Sequence, residues 1–189
     1  MSCFKLVPFN PENTETVLAW RNAERIRLNM LDDSTIGNED HASFLRVLDT
    51  DESRAYFVVE LRDTPVAAIY FTGLGGKEVT WGCYIGSEKA IPGLFVGLVI
   101  IAIKYSFSFP ATESMRSEVA SHNANPIKLN RFLGIPETGR ILRYTSSGRE
   151  VEFIEYRLVS GTIEPVLNKA TKVIPSSIRT ACENLKLEN

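Results

Sequence analysis

A chain of 189 residues, 44% hydrophobic and 23% charged, is long enough to bury one sizeable core and reads as one domain with a tail. A net charge of -2 lacks the general basic footprint of nonspecific nucleic-acid binding, so no nucleic-acid partner is expected. Cys3, Cys83 and Cys182 lie far apart and are odd in number, which suggests neither a disulfide framework nor a zinc site; no metal is expected, and a reducing cytoplasm fits.

Phe4 to Phe9 alternates apolar and polar residues and stops at Asn10-Pro11. That predicts a strand and then a helix with Asn10 as N-cap and Pro11 at the first helical position, carrying Val17, Trp20 and Arg21. No basic segment followed by an apolar run precedes it, so no secretory signal is expected. A second helix begins near Asn38, where Glu39 and Asp40 suit the positive end of the helix dipole. Phe44, Leu45 and Leu48 form its apolar stripe, and His41 has the spacing to face inward with them.

Three strand signals follow, Ala55 to Leu61, Val66 to Thr72 and Glu78 to Ile85, broken by turns at Arg62-Asp63-Thr64-Pro65 and Gly73 to Lys77. Their short connections predict an antiparallel meander. Leu94 to Ile103 is the longest apolar run and falls well short of the roughly 20 residues that span a bilayer, so it reads as a buried helix to about Phe107 and no membrane partner is expected. A strand from Met115 to Ala120, a helix from about Asn125 to Leu133 and a hairpin of Arg140 to Tyr144 with Glu150 to Val159 complete residues 1–159. Residues 160–189 form a weakly patterned C-terminal extension, with a short helix after Ser176-Ser177.

From Ser114 to Ile135 a strand signal is followed by Asn123, a turn, and a one-sided helix closing at Gly134-Ile135. This order resembles the second half of the GNAT acyl-CoA N-acyltransferases, in which an Asn, a small residue, a Tyr and a Gly-Phe recur. Those places hold Asn123, Pro126, Asn130 and Gly134-Ile135, so the tyrosine that the family commonly uses to protonate the departing thiolate is replaced. The resemblance covers residues 4–159 and implies an α+β fold, a mixed and mostly antiparallel sheet flanked by helices, splayed between the strands ending near Ile85 and Ala120. It also implies acetyl-CoA as acyl donor.

A pyrophosphate is held well by backbone N–H groups opening a helix. The family supplies an Arg or Gln and then glycines there; this chain has Ala90-Ile91-Pro92-Gly93-Leu94-Phe95, in which Gly93 alone matches. Gly93, Leu94 and Phe95 are therefore the expected pyrophosphate loop. Cys83, Tyr84 and Ile85 are the strand along which the pantetheine arm would pair, with Gly82 marking either a bulge that opens the edge or an ordinary irregularity. Asn123 caps its helix, bonds the cofactor, or does both. His41 is the candidate base, with Glu78 second, acting through water. Asn130 is too weakly acidic to replace the tyrosine but can hold a water, and Tyr84, Tyr105 and Tyr144 are alternative phenols.

Leu18-Ala19-Trp20-Arg21-Asn22, Ile26-Arg27, Met30, Glu39-Asp40-His41 and Tyr56-Phe57-Val58-Val59 resemble the sugar-nucleotide N-acetyltransferases of pseudaminic acid biosynthesis. That branch transfers acetyl to the amino group of a nucleotide-linked amino sugar, which implies a small-molecule acceptor facing Arg21, Asn22, Met30 and His41. Arg21, Arg25 and Arg27 suit a diphosphate by the planar fork of the guanidinium. A homodimer is compatible with the chain. Two other readings share the frame: a GNAT-fold binding protein that has lost transfer, and an N-terminal acetyltransferase of the ribosomal-protein type.

Overall fold

The computed structural model describes residues 3–187. The chain opens with β1 (Phe4–Pro8) and one turn of 3-10 helix at Pro11–Asn13. Asn10 caps that turn as its sequence predicts: its side chain accepts from the amides of Glu12 at 2.9 Å and Asn13 at 3.1 Å, and Asn13 Oδ1 accepts from the Asn10 amide at 3.1 Å. α1 (Thr14–Asn22) continues from it. The chain then makes an unanticipated short helix, α2 (Glu24–Arg27), after a break at Ala23, whose φ of -60° and ψ of 131° leave the helical region. α3 (Asn38–Leu48) buries His41 and Leu45.

The meander is β2 (Arg54–Leu61), β3 (Thr64–Thr72) and β4 (Glu78–Ile85). At its first turn Arg62 and Asp63 have φ of 55° and 59°, the left-handed pair that a two-residue hairpin turn requires. α4 (Leu94–Ser106), β5 (Ser114–Ala120), α5 (Ala124–Leu133), β6 (Glu137–Tyr144) and β7 (Glu150–Val159) follow. β6 starts at Glu137, ahead of the predicted Arg140, because a register shift between Glu137 and Gly139 interrupts the alternation that marks a strand.

One sheet runs β6-β7-β5-β4-β3-β2-β1-β8, where β8 is Lys186–Leu187. Its ladders are antiparallel except β4 with β5 and β1 with β8. β4 and β5 pair only from Glu78 to Thr80 against Ser114 to Arg116, and beyond that point they diverge. Five residues of β4, Trp81 to Ile85, are thus left without a strand partner on that side. This is the splay that the resemblance implies.

α4 is apolar nearly all round and largely enclosed: nine of its 13 residues are buried, and Lys104 is exposed. It lies between the sheet, at Phe4, Ile69, Phe71 and Trp81, and the C-terminal segment. Residues 160–187 contain α6 (Ile163–Val173), which Pro165 in its first turn hid, and α7 (Ser176–Glu183), which the sequence placed. Val166, Ala170, Ile174, Ile178, Ala181 and Cys182 of this segment are buried in the same core as α4, so the segment packs rather than trails. α1 and α3 cover the opposite face of the sheet around Phe9, Val17, Leu45, Val58 and Ala68.

Among the described residues no helix is long and apolar enough to cross a membrane, and no cluster of His, Cys, Asp and Glu has the makings of a metal site. All three cysteines are free thiols.

Candidate active site

The divergence of β4 from β5 opens a cleft of about 380 Å³ that reaches from the start of α4 to Asn130 on α5. Cys83, Tyr84, Ile85, Phe95, Asn123 and Asn130 all line it. α4 starts at Gly93, whose φ of 80° is a left-handed conformation open to glycine at little cost. The Leu94 amide donates to Ile91 O at 3.1 Å and the Gly97 amide to Gly93 O at 2.9 Å, whereas the amides of Phe95 and Val96 have no acceptor among the described residues. Two orphan N–H groups at the positive end of a helix dipole favour an anion.

Gly93 and Leu94 do not line the cleft themselves. The Leu94 side chain is buried in the core, and a Cβ on Gly93 would lie 2.6 Å from Pro175 Cδ. The C-terminal segment thus braces the start of α4 from behind, a second reason for glycine at that position. Asn123 stands at the N-cap of α5 yet makes no capping hydrogen bond from its side chain. Its amide group is left to the cleft. These features fit a CoA-type ligand: free amides for a pyrophosphate, an open strand edge for a pantetheine arm, and an uncommitted Asn beside it.

Across a shared wall lies a second cavity of about 320 Å³ under α1 and α3. Phe9, Phe44, Tyr56 and Val17 make it apolar, and Arg21 and His41 make it polar. Tyr56 stacks on Tyr70 with ring centroids 5.2 Å apart and meets the Phe44 ring edge-on at 4.9 Å. His41 is held between Phe9 and Phe44, buried to 4% exposure, and its Nε2 has no hydrogen-bond partner. Burial lowers its pKa, because removing water disfavours the imidazolium, and the ring stays neutral. Arg21 donates from Nη2 to the Asp32 carbonyl, while Nη1 is buried and unpartnered. A neutral imidazole nitrogen and a spare guanidinium N–H therefore line one small cavity. Met30, Leu31, Tyr70 and Tyr84 line both cavities, so the two meet there.

The segment between α2 and α3 roofs this junction and is pinned from afar. Asp33 is buried, and its carboxylate accepts from Ser146 Oγ at 2.9 Å, the Ser147 amide at 2.9 Å and Ser147 Oγ at 2.7 Å in the β6–β7 turn. Hydrogen bonding by Ser147 holds its pKa well below the ordinary carboxylate range. Arg149 donates to Leu28 O at 2.8 Å and lies 3.5 Å from Asp33 Oδ2. Sequence reasoning missed this rivet, because nothing local links positions so distant in the chain.

Several expected site residues are engaged elsewhere. Glu78 sits at the paired end of β4, accepts from Ser114 Oγ at 3.1 Å and forms an ion pair with Arg157 at 2.9 Å. It lines neither cavity. The structure therefore does not bring it to the junction, where a base acting through water would have to stand. Asn22 is also corrected: it donates to Ile36 O at 2.9 Å and accepts from the Ile36 amide at 2.8 Å, which clamps the roof, and it lines neither cavity. Arg25 holds the end of β4, donating to Ile85 O at 2.9 Å and Gly86 O at 2.6 Å, and Arg27 donates to Asp33 O at 3.1 Å. Of those three arginines only Arg21 lines the second cavity.

Among the alternative phenols, Tyr105 belongs to an aromatic cluster with Phe57, Phe71 and Phe109, and Tyr144 is exposed and donates to Glu150 at 2.8 Å. Tyr84 stays at the junction. Gly82 marks no bulge, because the β3–β4 register runs through it unbroken. Tyr70, its cross-strand partner, was not singled out from the sequence.

Solved structures similar to the chain decide the fold. Spermidine N-acetyltransferase of Vibrio cholerae, solved with CoA and spermine, superposes with a TM-score of 0.76 over 84% of this chain and 96% of its own, at 15% identity. The N-acetyltransferase PseH of Campylobacter jejuni, solved with acetyl coenzyme A, gives 0.61 over 83% and 99% of the two chains, at 21% identity. The fold is the GNAT fold. In sequence, the acetyltransferase PseH of Campylobacter jejuni subsp. jejuni is 27% identical over 120 residues, 64% of this chain and 74% of its own length. No protein-family model matches the chain. The chain thus pairs a GNAT fold with a resemblance to PseH.

Proposed function

We propose that the protein is an acetyl-CoA-dependent N-acetyltransferase whose acceptor is the amino group of a nucleotide-linked amino sugar. One observation carries this reading: a cleft of open backbone and a cavity of spare polar side chains meet at Met30, Leu31, Tyr70 and Tyr84. A donor and an acceptor seated in the two would be brought into contact there, which is the proximity that acyl transfer needs. The resemblance to PseH favours an amino-sugar acceptor over a polyamine or a peptide terminus. Arg21 Nη1 suits a phosphate oxygen, and the Tyr56 and Phe44 rings suit an apolar or planar portion of the ligand.

Acetyl-CoA would supply the acyl group as a thioester, so that a C–N bond forms as the C–S bond breaks. His41 Nε2, neutral and unpartnered, accepts the proton that the attacking nitrogen loses. The free amides of Phe95 and Val96 and the side chain of Asn123 hold the donor, and Asn130 keeps a polar group in the cleft beside it. Residues 1–159 carry these groups, and the C-terminal extension, 160–189, supports α4 through Pro175.

Calorimetric titration with acetyl-CoA, followed by transfer to a UDP-linked amino sugar, tests the reading. Saturable binding and amide formation are expected. Binding of acetyl-CoA without transfer to any amine would leave a GNAT-fold binding protein, and absence of binding at high micromolar ligand would remove the donor site altogether.

A further inference from the structure

The place where GNAT proteins commonly carry a tyrosine is Asn130, and no phenol stands on α5. A phenol nevertheless reaches the junction from another direction. Tyr70 of β3 lies directly opposite Gly82 of β4. A Cβ built on Gly82 would sit 2.2 Å from Tyr70 Oη and 2.4 Å from Cζ, so the far end of the ring crosses over β4 where a side chain would block it. Only glycine leaves that passage open. On the other side of β4 at this level there is no strand, because pairing with β5 has already ended at Thr80. Tyr70 lines both the cleft and the second cavity.

Its surroundings agree. Tyr56, Cys83, Arg21 and the Glu118 carboxylate of β5 all act on it electrostatically. Glu118 is itself neutralised by Arg116 and by Arg143 at 2.7 Å. The stack on Tyr56 fixes the ring plane.

We propose that Tyr70 supplies the phenol that α5 lacks, passing over Gly82 to donate a hydrogen bond to the CoA sulfur as it becomes a thiolate. The inference rests on the acyltransferase reading above. The electron pair of the breaking C–S bond goes to sulfur, the acetyl carbon goes to the acceptor nitrogen, and the proton lost from nitrogen goes to His41 Nε2. Tyr70 keeps its own proton. That role suits the group: burial raises the phenol pKa above its ordinary value, whereas a thiol ionises near about 8.5, so the phenol remains a donor to a thiolate without giving the proton up.

Binding of CoA and of desulfo-CoA at about pH 9.5, where the free thiol is ionised, tests this without turnover. Wild type should bind CoA about tenfold more tightly than desulfo-CoA, as a hydrogen bond to an ionised sulfur implies. Tyr70→Phe, which keeps the ring and the Tyr56 stack, should bind the two alike, while Tyr84→Phe keeps the preference. In transfer assays Tyr70→Phe should lower kcat at unchanged KM for acetyl-CoA, and Tyr70→Phe with Asn130→Tyr should regain it, which a merely structural role would not allow. Gly82→Ala, which pushes the phenol aside, should reproduce the loss of preference and stands in if Tyr70→Phe does not fold. Retention of the preference in Tyr70→Phe, or its loss in Tyr84→Phe, overturns the assignment. Wild type that transfers acetyl but binds CoA and desulfo-CoA alike sinks the Tyr70 role alone; wild type that binds neither sinks the acyltransferase reading and this inference with it.

Discussion

The cleft beside α4 offers the amides of Phe95 and Val96 and the unpaired edge of β4, whereas the cavity under α3 offers Arg21 Nη1 and His41 Nε2. The first is made chiefly of main chain and the second chiefly of side chains. Main-chain donors exist whatever residue carries them, so Ala90 and Phe95 leave the free amides of the first site in place. A site of side chains has no such tolerance. If His41 is the base proposed above, removing its imidazole takes away the one unpartnered proton acceptor that the second cavity offers among the described residues.

The sharpest test of that contrast is His41. As base, His41→Gln should lower kcat by about 10²- to 10⁴-fold, with the midpoint of thermal unfolding little changed because the substitute keeps a polar atom of similar reach. The pH profile adds a direction. A lowered imidazole pKa means that the base is unprotonated from below about 6.5 upward, so wild-type kcat should be flat above that value and fall as the solution becomes more acid. The same sign holds for folding, since the unfolded chain binds the proton more readily and stability declines on that acid side. In His41→Gln the acid limb belonging to this group should vanish. A variant that retains both rate and limb would reduce His41 to packing between Phe9 and Phe44.

Asn123 probes the boundary between the two kinds of site, being the side chain in a cleft of backbone. If it were a helix cap, Asn123→Ala would cost about 1 kcal/mol of stability. The side chain makes no such bond, so stability should hold within a few tenths of a kcal/mol while affinity for acetyl-CoA falls about fivefold to tenfold, as loss of one hydrogen bond implies. Chemical denaturation and calorimetry on the same sample separate the outcomes.

The same division explains what the sequence disclosed. Elements with a clear period were legible: the alternation of β1 and the meander, the His41-Phe44-Leu45-Leu48 stripe of α3, the apolar run of α4, and the left-handed closure of α5 at Gly134. α2 was not, because four residues carry no period, and α6 was not, because Pro165 in its first turn reads as a break although Ile163, Val166, Leu167 and Ala170 have helical spacing. Among site residues, Glu78 and Asn22 were singled out for their chemistry, but their partners Arg157 and Ile36 come from other elements. Tyr70 was passed over for the opposite reason. Its reach depends on standing opposite Gly82, and only the strand register reveals a glycine window of that kind.

The smallest effect is expected where the family pattern is most visibly altered. If the donor cleft works through backbone, then restoring a side chain at the head of α4 adds one exposed charge to a site whose main donors are already present. Ala90 is exposed, so an arginine there meets phosphate in water, where a charge pair contributes at most about 1 kcal/mol and is screened by salt. Ala90→Arg should therefore tighten acetyl-CoA binding by no more than about fivefold at low ionic strength, and the gain should shrink as salt is raised. Phe95→Ala should likewise shift affinity by only a few fold, since alanine keeps the free amide at that position. A hundredfold gain from either change would mean that the cleft lacked a working anion site, and that its free amides alone do not hold a pyrophosphate.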